Sequence, residues 1–229
     1  MAHEPGVSVV VPVRDGERYI EEALRSVAGQ TYQPLEVIVV DDGSRDRSVE
    51  LARGLGARVE RQPAKGQAAA RNRGVRLSRG KLLSFLDADD LWPPDKIERQ
   101  VGAVDAHPEV DLVFGHLRQF ISPELTPSAA AKLRCPDKPQ PALHFGSLLA
   151  RRAALERVGP FSEEWRVGEL MEWLLRARER GLRELMLPDV VLYRRLHEFN
   201  TSRRERASRR DHALILKRAL DRRRAGTGG

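Results

Sequence analysis

Residues 82–90 read Leu82-Leu83-Ser84-Phe85-Leu86-Asp87-Ala88-Asp89-Asp90, an apolar run that is followed directly by acidic side chains. A short run rich in Leu and Phe is typical of a β-strand buried on both faces, which places the acidic residues at its carboxyl end. Alternate side chains of an extended chain share a face, so Asp87 and Asp89 can point together into one site. A Mg²⁺ or Mn²⁺ ion would relieve their mutual repulsion. The alternative is that Asp89 or Asp90 caps the following helix or forms a turn.

The composition indicates a globular protein with one main domain. The chain has 229 residues, of which 41% are hydrophobic and 32% charged, and this length can bury a sizeable core. Cys135 is the only cysteine, which excludes an internal disulfide and a cysteine metal cluster and is typical of a reducing compartment. No segment has the pattern of a signal peptide or of a membrane span, so we expect a cytoplasmic protein.

Basic residues are concentrated near the C-terminus. Residues 194–224 contain eleven Arg and one Lys against four acidic residues, a local net charge of +8, while the whole chain carries +7. Such a segment can face an anionic membrane, an acidic acceptor or nucleic acid, or it can be a solvated helix face. Nucleic acid is disfavoured because Phe199 is the only aromatic residue after Tyr193. Peripheral contact with the anionic inner face of a membrane is a candidate role for the tail, residues 206–229.

Strand and helix patterns alternate along the first half of the chain. Apolar runs predict strands at residues 7–13, 35–40, 57–62 and 81–86, with helices between them. We expect Ser44 or Asp46 to cap the helix after the second strand. Further along, a returning strand is predicted at residues 144–149 and a helix at 152–158. This order predicts an α/β fold whose mostly parallel central sheet carries helices on both faces.

The ends of three predicted strands should meet in one crevice, because ligands of parallel sheets bind beyond the carboxyl ends of the strands. The side chains delivered there are Pro12, Val13 and Arg14 from the first strand, Asp41 and Asp42 from the second, and Asp87 and Asp89 from the fourth. Neither a G-x-G-x-x-G nor a G-x-x-x-x-G-K-[ST] motif is present, which argues against the dinucleotide fingerprint and the P-loop. A nucleotide is still plausible, since an acid at the second strand end can accept an N–H from a base. The alternative for Asp42 is a turn with Gly43.

Several segments together resemble the family 2 glycosyltransferases, which have the GT-A fold. They are Val7-Ser8-Val9-Val10-Val11-Pro12-Val13, Gln30-Thr31-Tyr32, Glu36-Val37-Ile38-Val39-Val40-Asp41-Asp42-Gly43-Ser44, Ala70-Arg71-Asn72-Arg73-Gly74 and Phe85-Leu86-Asp87-Ala88-Asp89-Asp90. The resemblance implies a single GT-A catalytic domain over residues 1–205, followed by the basic tail. A nucleotide-sugar-binding half is expected at 5–115 and a smaller acceptor-side half at 116–205.

The resemblance also implies a nucleotide-diphospho-sugar donor, a Mn²⁺ or Mg²⁺ ion and inversion at the anomeric carbon. It implies that Asp42 contacts the base with Arg71 beside it, that Asp87 approaches the ribose, and that Asp89 binds the metal through the diphosphate. We expect a UDP-sugar, since Asp42 would accept the imide N–H of uracil. The same carboxylate could face guanine.

The catalytic base of the family lies in an E-D-x-D-like segment, to which residues 167–176 correspond in this chain. The usual Asp falls on Leu170. Glu169 is the nearest replacement and Glu172 the next, and on a helix the two could share a face. The alternative is that Glu169 only favours the helix dipole.

The family's late strand ends in H-x-x-N, which matches His197-Glu198-Phe199-Asn200. His197 is therefore expected to bind the metal or the diphosphate, although a histidine at a strand end can also be a surface residue. Arg194 and Arg195 could meet phosphate oxygens.

These features predict an inverting, metal-dependent glycosyltransferase of the hexosyltransferase type. Its acceptor could be a lipid, a polysaccharide or a peptide. One alternative is a protein that binds a nucleotide sugar or an acceptor without turnover, which Leu170 makes credible. Another is a nucleotidyltransferase that makes NDP-sugars, but the Gly-rich, Lys-bearing first loop of such enzymes is missing.

Overall fold

The computed structural model describes residues 6–33, 35–165, 167–198, 200 and 208–226. The strands are β1 (Val7–Val13), β2 (Leu35–Asp41), β3 (Arg58–Arg61), β4 (Leu82–Phe85), β5 (Leu112–Ile121), β6 (Gln140–Ala142), β7 (Leu149–Arg151) and β8 (Glu184–Leu196). The helices are α1 (Ile20–Ala28), α2 (Ser48–Gly54), α3 (Gln67–Leu77), α4 (Lys96–Ala106), α5 (Pro127–Ala130), α6 (Arg152–Val158), α7 (Glu169–Glu179) and α8 (Ser208–Gly226). A short 3-10 helix lies at Phe145–Ser147.

The described strands form one sheet in the order β3-β2-β1-β4-β7-β5-β6, and β8 pairs with β5. The first four strands in this order are parallel, as is the pair of β5 and β8. β7 runs antiparallel to both β4 and β5. The predicted α/β fold with a mostly parallel central sheet is therefore confirmed. The parallel part places the carboxyl ends of β1, β2 and β4 on one edge of the sheet.

The apolar runs in the sequence are the buried strands of this sheet. All seven residues of β1 and all four of β4 are buried, as is typical of parallel strands covered by helices on both faces. On α1, Ile20, Ala23, Leu24 and Val27 pack against one side of the sheet. On the other side, Trp173 and Leu174 of α7 join Phe85 and Phe114 in a second cluster.

The structure shifts two of the predicted elements. The returning strand begins at Leu149 rather than His144, because residues 145–147 form the 3-10 turn. His144 caps this turn, since its Nδ1 accepts the Gly146 N–H at 3.1 Å. The helix after β2 begins at Ser48, where Asp46 Oδ1 accepts the backbone N–H. Ser44 does not cap it, because its hydroxyl accepts the N–H of Asp15.

The basic tail is described only from Ser208 to Gly226, where it forms α8, and the expectations for residues 206, 207 and 227–229 lie outside the described residues. Ile215 and Ala219 are buried on the side of α8 that contacts α7. Arg218 and Arg222 bond Glu164 and Glu179 at 2.6 and 3.0 Å. None of the helices in the described part of the chain has the length and apolarity needed to cross a lipid bilayer.

Candidate active site

A crevice of about 660 Å³ lies at the carboxyl ends of β1 and β4, and we call it the strand-end crevice. Its lining includes six predicted site residues, which are Pro12, Val13, Arg14, Asp87, Asp89 and His197. The rest of the lining is residues 15–19, Arg45, Asp46, Gln67 and Ala88. The sheet edge thus brings residues that are distant in sequence into one cavity.

The rim of the strand-end crevice is a pair of segments joined by hydrogen bonds from backbone N–H groups to side-chain oxygens. Asp15 has φ +50, and its N–H and that of Gly16 donate to the hydroxyls of Ser44 and Ser48 at 2.9 and 2.8 Å. In return, the Arg45 N–H donates to Asp15 Oδ1 at 2.8 Å. The two segments therefore hold each other in place before any ligand is present.

The two acidic residues at the end of β2, Asp41 and Asp42, fix the segments next to this rim. Asp41 closes the turn by accepting the Ser44 N–H at 3.0 Å, so the turn predicted for Asp42 is made by its neighbour. Asp42 is buried and accepts the N–H groups of Lys65 and Gly66 at 2.8 and 2.9 Å. Oδ1 also accepts the Gln62 side chain. Asp42 thus fixes the segment leading to α3, and a base could reach it only through the remaining lone pair of Oδ2.

Arg71 is buried next to Asp87 and connects the end of β4 to the start of α7. Its guanidinium donates to Asp87 Oδ1 at 2.6 Å and to Glu169 Oε1 at 2.7 Å, and it lies 3.9 Å from the Phe145 ring centroid. Burial alone would raise the pKa of Asp87, but the charges of Arg71 and His144 hold that pKa below its ordinary value. Asp87 is therefore a carboxylate at neutral pH.

Asp89 and His197, which the sequence analysis proposed as metal ligands, lie in contact. His197 Nε2 lies 2.9 Å from Asp89 Oδ2, and Asn200 Oδ1 accepts the His197 backbone N–H at 2.7 Å. The Tyr19 ring packs against the imidazole at a centroid distance of 4.8 Å. Asn200 therefore helps to orient His197 towards Asp89.

A second group of oxygen and nitrogen atoms suited to a metal ion lies beside this pair. Asp87, Asp90 and His144 each offer one ligand atom, and these atoms lie within 4.8 Å of one another. Burial and the charges of Asp89 and Asp87 raise the pKa of Asp90 well above its ordinary value. Carboxylates with an imidazole are suitable ligands for Mn²⁺ or Mg²⁺, and a cation would neutralise this concentrated negative charge. The residues therefore fit a divalent cation.

Two predicted site residues are engaged elsewhere. The Arg195 guanidinium is buried, bonds Glu22 and the Asp89 carbonyl, and stacks between the Tyr19 and Phe120 rings. This corrects the expectation that Arg195 meets phosphate, because its donors are used inside the fold. Glu172 binds Arg176 through both carboxylate oxygens, at 2.9 and 3.0 Å. This corrects its assignment as a candidate base.

A second cavity of about 340 Å³ adjoins the first, and we call it the helix-side pocket. It shares Gln67, Asp87 and Asp89 with the strand-end crevice. Its own lining is Arg71, Asp90, residues 143–145, residues 167–171, Arg194, Asn200 and His212. The two cavities thus meet at the acidic pair.

Leu170, on which the resemblance places the base, lines this pocket and offers no proton acceptor. Leu170 is buried in the core cluster around Trp173, and its predicted replacement Glu169 is held by Arg71. Sequence reasoning missed Asp90, His144 and His212 as lining residues. The residues next to His144 in sequence form no site motif, and those next to His212 are mainly basic. Neither histidine could therefore be recognised as a site residue from its local sequence.

Comparison with known proteins identifies relatives over most of the chain. A family model described as Glycosyl transferase family 2 matches residues 8–158. An uncharacterized glycosyltransferase of Rickettsia typhi is 34% identical over 113 residues, which are 48% of this chain and 36% of the relative. The aligned part thus spans little more than a third of that relative.

Two solved structures share the fold. The S. aureus TarS fragment 1–349 in complex with UDP-GlcNAc has a TM-score of 0.68 at 23% identity, covering 85% of this chain and 59% of that chain. The mannosyltransferase PcManGT from Pyrobaculum calidifontis, in complex with GDP-Man and Mn²⁺, has a TM-score of 0.68 at 24% identity, covering 100% of this chain and 66% of that chain. At such identities the likeness concerns the fold alone.

Proposed function

Because the chain belongs to glycosyl transferase family 2, we propose that it transfers a sugar from a nucleotide-diphospho-sugar to an acceptor hydroxyl, with inversion at the anomeric carbon. The observation that carries this proposal is the meeting of two cavities at Asp87 and Asp89. Inversion by one displacement needs the leaving group and the nucleophile on opposite sides of one carbon. A diphosphate in the strand-end crevice would present that carbon at the acidic pair, facing the helix-side pocket.

In this proposal the strand-end crevice holds the nucleotide and its diphosphate. Pro12 and Val13 line it beside Arg14 and Arg18, whose half-exposed guanidinium groups can reach phosphate oxygens. Asp42 supports the wall and offers its last lone pair to a base N–H. We favour a UDP-sugar, and GDP-Man remains the main competitor because PcManGT was solved with it.

A Mn²⁺ or Mg²⁺ ion would be held by Asp89 with His197, and by the neighbouring Asp87, Asp90 and His144. When bound, the cation neutralises negative charge on the departing diphosphate. Apart from the ion, Arg71 fixes the position of Asp87, and the H-x-x-N segment fixes that of His197. These residues thus supply a preorganised site for the pyrophosphate.

The competing candidate is a protein that binds a nucleotide sugar without turnover. The observation in its favour is the pairing of both predicted bases, Glu169 with Arg71 and Glu172 with Arg176, next to the apolar Leu170. Turnover of a nucleotide sugar by the purified chain would support the transferase and exclude the protein that only binds.

The test is a donor-panel assay with UDP-glucose, UDP-GlcNAc and GDP-mannose, in Mn²⁺, in Mg²⁺ and in EDTA. We expect release of nucleoside diphosphate from one donor, loss of that release in EDTA, and a fall of at least about 100-fold in Asp89→Asn. Glu109→Gln, an exposed residue before β5, is the matched control. Binding without release in every arm would favour the non-catalytic candidate, and pyrophosphate formed from a nucleoside triphosphate would favour a nucleotidyltransferase.

The acceptor remains one of three classes, a lipid, a polysaccharide or a peptide, and α8 bears on the first. It exposes Leu216 and Leu220, four residues apart, among basic residues, which suits an anionic membrane surface. We expect salt-sensitive co-sedimentation with vesicles containing phosphatidylglycerol, lost in the double variant Leu216→Ser/Leu220→Ser and kept in Leu55→Ser, whose exposed leucine lies just after α2. Equal binding of all three proteins, or of none, would exclude this surface.

A further inference from the structure

The C-terminal helix contributes directly to the helix-side pocket. Ile215 is 1% and Ala219 4% exposed, so one side of α8 is fixed against α7. The ion pairs of Arg218 and Arg222 with acidic residues outside α8 hold the helix in the same place. His212 of this helix is half-buried and lines the pocket. The packing of α8 therefore gives the imidazole a fixed position in the pocket wall.

A glycine allows the imidazole to approach the start of α7. Gly168 has φ +92, and a Cβ at this position would lie 2.9 Å from Ile215 Cδ1 and 3.3 Å from His212 Nε2. The His212 ring therefore lies against the residue that precedes Glu169. Leu170, the position of the family's base, lies in the first turn of the helix that begins there.

The carboxylates of this region are already paired. Glu169 would have to give up part of its ion pair with Arg71 in order to take a proton, and Glu172 is bound twice by Arg176. Asp87 is held by the same guanidinium as Glu169. None of these groups can accept a proton without loss of a buried ion pair.

The two imidazoles of the helix-side pocket differ in their partners. His144 Nδ1 accepts the Gly146 N–H at 3.1 Å, and its Nε2 lies 3.9 Å from Asp87 Oδ2. His212 has no hydrogen bond or ion pair within the described part of the chain, so neither ring nitrogen is engaged by another described residue. Histidine is also the side chain best suited to exchange protons near neutral pH.

We propose that His212 is the general base of the transfer reaction and replaces the family aspartate that this chain lacks at Leu170. This inference rests on the proposed function. The neutral imidazole takes the proton of the acceptor hydroxyl, and the oxygen's electron pair forms the bond to the anomeric carbon. The bond from that carbon to the diphosphate oxygen breaks, and its electron pair leaves with the nucleoside diphosphate.

The test measures hydrolysis of the donor that the panel identifies, with water as the acceptor, and donor affinity by titration. We expect His212→Ala to lower the hydrolysis rate by about 10²–10⁴-fold, with donor affinity changed less than about twofold. His107→Ala, at the exposed end of α4, is the matched control and should keep the wild-type rate.

Two rescue experiments separate a base from a structural residue. Added imidazole should restore part of the rate in His212→Ala and have no effect on the wild type. The double variant Leu170→Asp/His212→Ala should regain activity, because it returns a carboxylate to the family position. If the variant with Leu170→Asp does not fold, the rescue of His212→Ala by added imidazole still distinguishes a base from a structural residue.

The outcomes separate this inference from the proposed function. Wild-type turnover with an unaffected His212→Ala variant would overturn the role of His212 alone. So would a rate loss that imidazole does not restore, or one that Glu169→Gln reproduces while donor binding is kept. A wild type that binds but releases nothing from any donor would overturn the proposed function and the base together.

Discussion

The strand-end crevice and the helix-side pocket share Gln67, Asp87 and Asp89, but they are assembled in different ways. Most of the crevice comes from segments that directly follow β1, β2 and β4, and backbone N–H groups join the first two of these segments to each other. The pocket is formed mainly by side chains of residues 143–212, from the 3-10 turn, β8, α7 and α8.

The two cavities also differ in the contacts that maintain their shape. The crevice follows from the sheet, because parallel strands deliver their carboxyl ends to one edge. The pocket depends on ion pairs between helices and on one close approach at Gly168. We therefore expect substitutions in these contacts to alter the pocket more than the crevice.

The largest effect should come from Arg71→Ala, which removes the cation that bonds Asp87, a residue of both cavities, and Glu169 of the helix-side pocket. It would leave Asp87 and Glu169 without their buried partner, and we expect the free energy of unfolding to fall by about 3–5 kcal/mol. Urea unfolding measures this change. Arg25→Ala, whose ion pair with Glu21 is exposed on both sides, is the control and should cost less than about 1 kcal/mol. An equal loss of unfolding free energy in the two variants would show that the buried contacts of Arg71 contribute no more than an exposed ion pair.

An intermediate effect is expected for Gly168→Ala, which acts on the pocket alone. The left-handed backbone and the contact with Ile215 should cost about 1–2 kcal/mol, and hydrogen exchange of α8 should become faster. Donor affinity should stay unchanged, since the crevice is not touched. Gly102→Ala, in an open position of α4, is the control and should be neutral or stabilising. Loss of donor affinity in Gly168→Ala would contradict the separation of the two cavities.

The smallest effect concerns Glu124, which bonds Tyr19 at the edge of the crevice. Burial opposes ionisation, but hydrogen bonds from Ser122 and Tyr19 lower the pKa of Glu124 to about 2. Because this pKa is lower in the folded protein, Glu124 stabilises the fold above its unfolded pKa, and that stabilisation is lost as the pH falls towards 2. Glu124→Gln should therefore be less stable than the wild type at pH 6, by under about 1 kcal/mol, and the gap should narrow by about pH 3. A gap that widens in acid would refute this assignment.

The crevice could be predicted from the sequence because its signals are local. The apolar run at 82–86 fixes a buried strand, and Asp87 and Asp89 must then leave its carboxyl end. The same reasoning applies to Pro12 and Val13 after β1. Arg195 could not be placed in this way, because its neighbours in sequence do not show that Glu22 and the Tyr19 ring would use its guanidinium.

The sequence by itself determined the parallel sheet and the acidic strand ends, since these depend on the order of residues along the chain. The tertiary structure alone decided which charges pair and which remain available. Arg71 pairs with Glu169, 98 residues away, and α8 brings His212 to Gly168. Such contacts arise from packing between distant elements, and a linear pattern carries no record of them.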